Sequence, residues 1–278
     1  MVHKIVCGLF VGKADRSVER GIVMPEENRL IEQIKITEQI SYIKASDNPL
    51  SADVILIEGQ EYLYIYDVGN NEQVAEYINS LPKKKRVILS HFHTDHIGNI
   101  GRVEWETVYF GANTEKYFQH YIPDYAKQRF AELPEALAGA FDKNVRGTGD
   151  TDIIQEKKFS RYVTVLDALE ISDGVSIEIY LVPNSHAKGS LLMQVNGAYI
   201  FIGDSLYSKA EGDNYVYNAQ LLKEEIELLK RLSGTKVFSS HERRPVKEKA
   251  GVIRFMEQIY GKRKKEDAYI RIKNSYLG

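Results

Sequence analysis

Short runs of apolar and β-branched residues recur along the chain, and most of them end directly before glycine, serine, asparagine, aspartate or histidine. Runs of this length between turn-forming residues are typical of buried β-strands. The pattern therefore predicts a protein built around β-sheet. The predicted strands and β-rich segments are residues 5–12, 30–44, 53–66, 86–90, 179–182, 199–202 and 236–240.

Three other segments have the spacing of a helix. Residues 72–81 and 246–260 are helix-like, and residues 218–232 carry apolar side chains three and four positions apart. That spacing is the pattern of an amphipathic helix with one buried face. Strands mixed with helices place the chain in the α/β class.

Residues 114–141 interrupt the β pattern with a helix-like stretch that is rich in aromatic side chains. Tyr117, Tyr121 and Tyr125 are four positions apart and would share one face if a helix continued through Pro123. We expect this segment to be an insertion that forms a lid or a wall over an apolar substrate pocket. The alternative, that its aromatic side chains simply pack against the sheet, is equally open.

Length and composition fit a single domain over residues 1–278, with 43% hydrophobic residues available for a core. The absence of an apolar stretch near 18 residues argues against a membrane span.

Cys7 is the only cysteine and no secretory leader is evident, so a cytoplasmic location is expected. A net charge of −2 gives no field to attract nucleic acid, so a small-molecule substrate is expected.

The strongest chemical signal is the sequence His-Phe-His-Thr-Asp-His at residues 91–96, directly after a predicted strand. Imidazole nitrogens and carboxylate oxygens are common ligands for zinc and similar divalent metals. His91 and His93 are two positions apart in an extended segment, so they face the same side and can bind one ion. Asp95 and His96 lie beyond the bend and can turn toward a second ion.

Further candidate ligands follow other predicted strands. Asp67 does so in the first half of the chain, and His186, Asp204 and His241 do so in the second half. Loops at strand ends commonly carry binding and catalytic residues. Taken singly, each is more simply a hydrogen-bonded core histidine or a turn-forming aspartate. Their order along the chain beside the 91–96 cluster makes them candidates.

This ordered set resembles the metallo-β-lactamase fold superfamily, whose five motifs each have a match between residues 67 and 241. The resemblance implies a four-layer αββα sandwich with two metal ions at one edge, usually zinc, with iron or manganese as alternatives. It also allows a homodimer, since this fold often dimerises. Carried over by position, the ligands are His91, His93 and His186 for the first ion, Asp95, His96 and His241 for the second, and Asp204 as the bridge, with Asp67 holding the ligand loops.

The resemblance further implies a hydrolase in which a hydroxide between the two metals attacks an ester, thioester or lactone bond. Asp95 would hold the proton of the nucleophile. Tyr207 matches in position a tyrosine of the quorum-quenching lactonases and would hydrogen-bond the substrate's carbonyl oxygen or leaving group. Because the chain contains 18 tyrosines, chance placement of Tyr207 is the alternative.

Other activities of the superfamily stay open at this point. A phosphodiesterase would use similar metal geometry, and an iron-dependent oxidoreductase similar to the persulfide dioxygenases would use one iron. His93 argues against the flavodiiron type, which has glutamate there. Asp204 stands where one common type of true β-lactamase has cysteine, so antibiotic hydrolysis is not expected. The intact ligand set argues against a non-catalytic binding protein.

Overall fold

The structure is a computed structural model that describes residues 31–120 and 161–273. Within these ranges the chain forms two large β-sheets, a three-stranded sheet, a two-stranded hairpin and several helices. In chain order the strands are β1 (Gln33–Lys35), β2 (Ile40–Ile43), β3 (Ser46–Asp47), β4 (Leu50–Ser51), β5 (Val54–Glu58), β6 (Tyr62–Tyr66), β7 (Lys84–Ile88), β8 (Thr107–Gly111), β9 (Arg161–Val165), β10 (Ala168–Ser172), β11 (Ser176–Leu181), β12 (Leu191–Val195), β13 (Tyr199–Phe201), β14 (Lys209–Glu211), β15 (Asn214–Asn218), β16 (Lys236–Phe238), β17 (Val246–Glu248) and β18 (Tyr269–Lys273). The helices are α1 (Glu72–Ser80), α2 (Thr94–Ile97), α3 (Ala112–His120), α4 (Ala219–Arg231) and α5 (Lys249–Tyr260).

The two large sheets come from different halves of the chain. The first has the strand order β1-β2-β5-β6-β7-β8-β9, and the second has the order β10-β11-β12-β13-β16-β17. In the first sheet β6, β7, β8 and β9 are parallel, and in the second β13 and β16 are parallel. Because parallel strands end at the same edge of a sheet, the loops that follow them emerge side by side.

Apolar side chains join four layers of secondary structure. Strand side chains alternate between the two faces of a sheet. In β6, Leu63 and Ile65 pack beneath α1, whereas Tyr64 and Tyr66 pack between the two sheets. Ile200 of β13 packs on the other side of the second sheet, beneath α4 and α5. The layers therefore form an αββα sandwich, and the predicted α/β fold class is confirmed.

Capping side chains explain where two of the predicted helices begin. Oδ1 of Asn71 accepts a hydrogen bond from the backbone N–H of Gln73 (3.0 Å) at the start of α1. Oδ1 of Asn218 accepts one from the N–H of Leu221 (3.1 Å) at the start of α4. Such acceptors satisfy backbone donors that the first turn of a helix leaves unpaired. The helices predicted at 72–81 and 218–232 are confirmed to within one residue at each end.

The prediction of a helix at 246–260 is wrong for the first three residues. Val246–Glu248 forms β17, which pairs antiparallel with β16 at the edge of the second sheet. The helix begins only at Lys249. Backbone pairing with β16 therefore overrides the local helical pattern of these three residues.

Some predictions concern residues that the structure does not describe. The strand predicted at 5–12 lies outside the described residues. Of the aromatic segment at 114–141, α3 covers the part up to His120, and the remainder lies outside the described residues. Its role as a lid therefore stays a prediction. Among the helices within the described ranges, none is long and apolar enough to cross a bilayer.

Candidate metal centre

Loops at one edge of the sandwich bring the candidate ligands together from both sheets. In the first sheet, Asp67 follows β6 and the 91–96 cluster follows β7. In the second sheet, His186 lies beyond β11, Asp204 beyond β13 and His241 beyond β16. The ligand atoms form two groups, and within each group they all lie within 4.8 Å of one another. The first group is His91, His93 and His186, and the second is Asp95, His96, Asp204 and His241.

The first group consists of three imidazoles whose nitrogens face one another. Nδ1 of His93 lies 3.0 Å from Nε2 of His91 and 2.9 Å from Nε2 of His186. Burial lowers the pKa of all three rings, and in His93 the nearby His186 lowers it further, to about 4. The three rings are therefore neutral near pH 7, which is the form of imidazole that binds a metal.

The second group combines imidazoles with carboxylates. Oδ2 of Asp95 lies 3.0 Å from Nε2 of His241 and 3.7 Å from Nε2 of His96. The two imidazole Nε2 atoms are 3.4 Å apart. Nitrogen and oxygen donors gathered at this range suit zinc, iron or manganese.

Charges in the second group are paired. Burial opposes the charged form of His96, but the carboxylates of Asp204, Asp67 and Asp95 outweigh burial and raise its pKa well above the usual value. Burial is likewise outweighed at His241, where the hydrogen bond with Asp95 is the main cause of a raised pKa. The imidazoles in turn hold the pKa of Asp204 well below its usual range despite burial. A metal ion bound here would replace the protons that His96 and His241 carry in its absence.

Asp204 belongs to the second group and also approaches the first. Its Oδ2 is 3.4 Å from Nε2 of His186 in the first group, and 3.3 Å from Nε2 of His96 in the second. Its Oδ1 is buried and has no hydrogen-bond partner within the described residues. An unsatisfied buried carboxylate oxygen is destabilising, and a metal ion would satisfy it. The side chains present therefore fit bound metal, and Asp204 is one of the donors that would hold it.

Asp67 is fully buried behind the second group. Its Oδ1 accepts a hydrogen bond from the backbone N–H of Ser90 (2.7 Å), and its Oδ2 accepts one from the Ser90 hydroxyl (2.7 Å). The same Oδ2 lies 2.8 Å from Nδ1 of His96. When Nδ1–H of a neutral His96 donates to Asp67, the lone pair of Nε2 faces the second group. The structure therefore adds Ser90, which sequence reasoning did not identify, to the supporting contacts.

The His186 loop is fixed by Asn184. Oδ1 of Asn184 accepts hydrogen bonds from the backbone N–H groups of His186 (3.0 Å) and Ala187 (2.9 Å), which forms a side-chain-stabilised turn. The amide nitrogen of Asn184 donates to the hydroxyl of Ser205 (2.7 Å), the residue after Asp204. The loops that carry His186 and Asp204 are therefore joined directly.

The His241 loop is fixed by Asp53, a second residue that sequence reasoning missed. His241 has a positive φ of 62°, which is uncommon for a residue with a side chain. Its backbone N–H donates to Oδ2 of Asp53 at 2.9 Å. Asp53 stands in a turn before β5, 188 positions away from His241 in the sequence. No local motif around Asp53 could have revealed this contact.

Tyr207 lies beside the first group, with its ring centroid 6.3 Å from that of His186. Its hydroxyl donates to the backbone carbonyl of Ser240 (2.9 Å) and lies 3.4 Å from Oε1 of Glu242. Tyr207 therefore lies near the candidate ligands, but its phenolic proton is engaged by the His241 loop, and its catalytic role stays a prediction. A catalytic role would require the hydroxyl to exchange this acceptor for a substrate oxygen.

The sequence matches one protein-family model. That model describes the metallo-β-lactamase superfamily, and the match covers residues 47–241. All seven candidate ligands and both supporting aspartates, Asp53 and Asp67, fall within the matched residues. A sequence search of curated proteins found no match.

Many solved structures share this fold, and three illustrate its range. A metallo-β-lactamase superfamily protein from Sulfolobus tokodaii is 20% identical, with 87% of this chain and 94% of that chain covered and a TM-score of 0.54. A B3 metallo-β-lactamase with an active-site glutamic acid is 15% identical, with 83% and 87% covered and a TM-score of 0.55. A stereoselective inverting sec-alkylsulfatase from Pseudomonas sp. is 15% identical, with 84% and 42% covered and a TM-score of 0.56. At these identities the likeness shows the fold alone.

Proposed function

The chain belongs to the metallo-β-lactamase superfamily, and from this premise we propose that it is a binuclear metal-dependent hydrolase of ester, thioester or lactone bonds, with zinc as the expected metal. The observation that carries the proposal is the position of Asp204. One carboxylate oxygen lies within 3.4 Å of an imidazole nitrogen in each group, and the other is buried without a partner among the described residues. A carboxylate in this position favours two adjacent ions over one.

The donor set assigns each residue a role. His91, His93 and His186 would hold one ion, Asp95, His96 and His241 would hold the other, and Asp204 would bridge them. When bound there, the two ions would supply a water molecule acidified to a pKa of about 7 and would polarise the scissile carbonyl.

Asp95 is suited to hold a proton during the reaction. Burial favours its neutral form, but the charge of His96 and the hydrogen bond with His241 outweigh burial and lower the pKa of Asp95. Its carboxylate is therefore ionised at neutral pH and available to accept the proton of the attacking water. Tyr207 would orient the substrate by donating its hydroxyl to the carbonyl oxygen or leaving group.

Carbon–oxygen and carbon–sulfur acyl bonds are proposed in preference to phosphodiesters. A polyanionic substrate is usually attracted by excess positive charge, and this chain has a net charge of −2. The expected substrate is therefore a small acyl compound. The cytoplasm is the proposed compartment, because the chain has a single cysteine.

A panel of lactones, thioesters, esters and phosphodiesters, assayed with zinc-loaded protein of measured metal content, tests the proposal. We expect hydrolysis of one acyl class, and we expect the His93→Ala variant to lose at least about a hundredfold in kcat/KM, since it lacks a metal ligand. One iron per chain in protein purified without added metal, together with no hydrolysis of any member of the panel by the zinc-loaded protein, would contradict the proposal and favour oxidoreductase chemistry.

A further inference from the structure

Asp53 accepts hydrogen bonds from two separate parts of the backbone. It is only 2% exposed, and each of its carboxylate oxygens serves one backbone donor. Oδ1 accepts from the N–H of Ala45 (2.9 Å), and Oδ2 accepts from the N–H of His241 (2.9 Å). The hydroxyl of Ser240 adds a third contact to Oδ2 at 3.2 Å. The side chain therefore joins the turn before β5 to the loop that carries the last candidate ligand.

The contact with His241 acts at a strained position of the backbone. A positive φ is unfavourable for a residue with a side chain and persists only where neighbouring contacts hold it. At His241 the φ of 62° directs the imidazole toward Asp95, with Nε2 of His241 3.0 Å from Oδ2 of Asp95. The hydrogen bond from the His241 N–H to Asp53 helps to hold the backbone of His241 in this conformation.

The same turn also contacts Asp95. The backbone N–H of Ala52, next to Asp53, donates to the carbonyl oxygen of Asp95 at 2.8 Å. Residues 52 and 53 therefore fix the backbone of two donors of the second group, one from each sheet. The first group has a different support, because Asn184 holds the His186 loop, whereas the Ser90 hydroxyl contacts both His91 of the first group and His96 of the second.

We propose that Asp53 is a positioning residue for the second ion, selectively holding His241, and through the adjacent Ala52 also Asp95, in place to bind it. This inference rests on the proposed binuclear site and deepens it, since it assigns separate supports to the two ions. Residues that support ligands from behind typically change metal affinity by about 10- to 100-fold when they are replaced.

Stepwise zinc binding to chelator-treated full-length protein, followed by competition with a chromophoric chelator, tests the proposal without any substrate. His241→Ala removes a donor of the second group and identifies its binding event, and His93→Ala does the same for the first group. Asp53→Ala should weaken the second binding event by at least about tenfold and leave the first within about twofold. Asp53→Asn should fall between wild type and Asp53→Ala, because an amide oxygen can accept from only one of the two N–H groups.

Asp173→Ala is the matched control. The carboxylate of Asp173 also accepts two backbone N–H groups, those of Glu61 and Tyr62 (both 2.9 Å), but at the opposite end of β6 from Asp67. Both Asp173→Ala and Asp53→Ala should lower the melting temperature, but Asp173→Ala should change neither zinc affinity. If Asp53→Ala does not fold, Asp53→Asn decides, with a several-fold loss confined to the second ion as the expected result.

Four outcomes would count against the proposal. Equal weakening of both ions in Asp53→Ala, or the same pattern in Asp173→Ala, would reduce Asp53 to a general stability role. Unchanged affinities in a folded Asp53→Ala would exclude any positioning role. A wild-type chain that binds fewer than two zinc ions would instead overturn the proposed binuclear function, on which this inference rests.

Discussion

Oδ2 of Asp67 lies 2.8 Å from Nδ1 of His96, and both side chains are fully buried. The carboxylate accepts a hydrogen bond from Nδ1–H of a neutral His96, which leaves the lone pair of Nε2 free to bind a metal. Nε2 is the nitrogen on the side of Asp204, at 3.3 Å from its Oδ2. When His96 is neutral, as metal binding requires, its tautomer is therefore set by Asp67.

Replacing Asp67 with asparagine should reverse this tautomer. The amide oxygen would accept from the backbone N–H of Ser90, which places the amide NH2 against Nδ1 of His96. His96 would then keep its proton on Nε2 and lose its ability to bind a metal. We expect zinc affinity in the second group to fall by about 10- to 100-fold, measured by competition with a chelator. Unchanged zinc affinity in Asp67→Asn would show that the tautomer does not matter.

Removing the hydroxyl of Tyr207 separates a catalytic role from a structural one. We expect Tyr207→Phe to lower kcat by about tenfold or more with metal content unchanged, because the phenol would no longer donate to a developing oxyanion. Loss of the bond to the Ser240 carbonyl should also lower the free energy of unfolding by about 1 kcal/mol. If only stability falls and kcat is unchanged, Tyr207 supports the His241 loop and takes no part in the reaction.

Glu225 should make stability depend on pH. It lies on the buried face of α4 at 1% exposure, and burial raises its pKa from 4.5 to about 8 although a hydrogen bond with Ser205 lowers it. The folded protein therefore retains a proton that the unfolded chain releases, and this contribution to stability is complete below pH 4.5 and declines as the pH rises to 8. By pH 7 the decline amounts to about 3 kcal/mol.

Glu225→Gln removes this titration while retaining a similar shape. We expect the free energy of unfolding of the variant, relative to wild type, to rise steadily between pH 5 and pH 8 in urea melts of the metal-free proteins. Glu224→Gln, an exposed neighbour on the same helix, should show no such trend. Parallel pH profiles for Glu225→Gln and wild type would contradict the buried proton.

Metal removal should destabilise the whole sandwich. Both ligand groups draw side chains from both sheets, and an ion bound only by the folded state stabilises it by mass action. Zinc at a hundredfold excess over its dissociation constant should add about 2.7 kcal/mol per ion, seen as a higher melting temperature that EDTA reverses. A melting temperature that does not respond to zinc would argue against metal binding.

The loops that carry the candidate ligands could be predicted from sequence because each follows a recognisable strand. The cluster at 91–96 is local, and the apolar runs before Asp67, Asp204 and His241 indicate where those loops begin. The strand order of the two sheets then brings these loops together at one edge of the sandwich.

The supporting residues could not be predicted, because their signal lies in contacts between distant parts of the chain. In the sequence Asp53 is only the first residue of the β-rich segment 53–66, and the fold alone places it against the N–H of His241. Glu225 lies in a helix rich in exposed charge, and its burial depends on how α4 packs on the second sheet. The strand at Val246–Glu248 was missed for the same reason, since only pairing with β16 distinguishes it from the start of a helix.

The division of the donors between the two sheets has a consequence for how the protein matures. The N-terminal sheet carries two of the three donors in the first group and the C-terminal sheet carries the third, while the second group is shared equally. Neither half of the polypeptide can assemble a complete coordination sphere by itself. If the site binds metal as proposed, complete coordination requires that both sheets have docked, so zinc loading would report that the two halves are in contact.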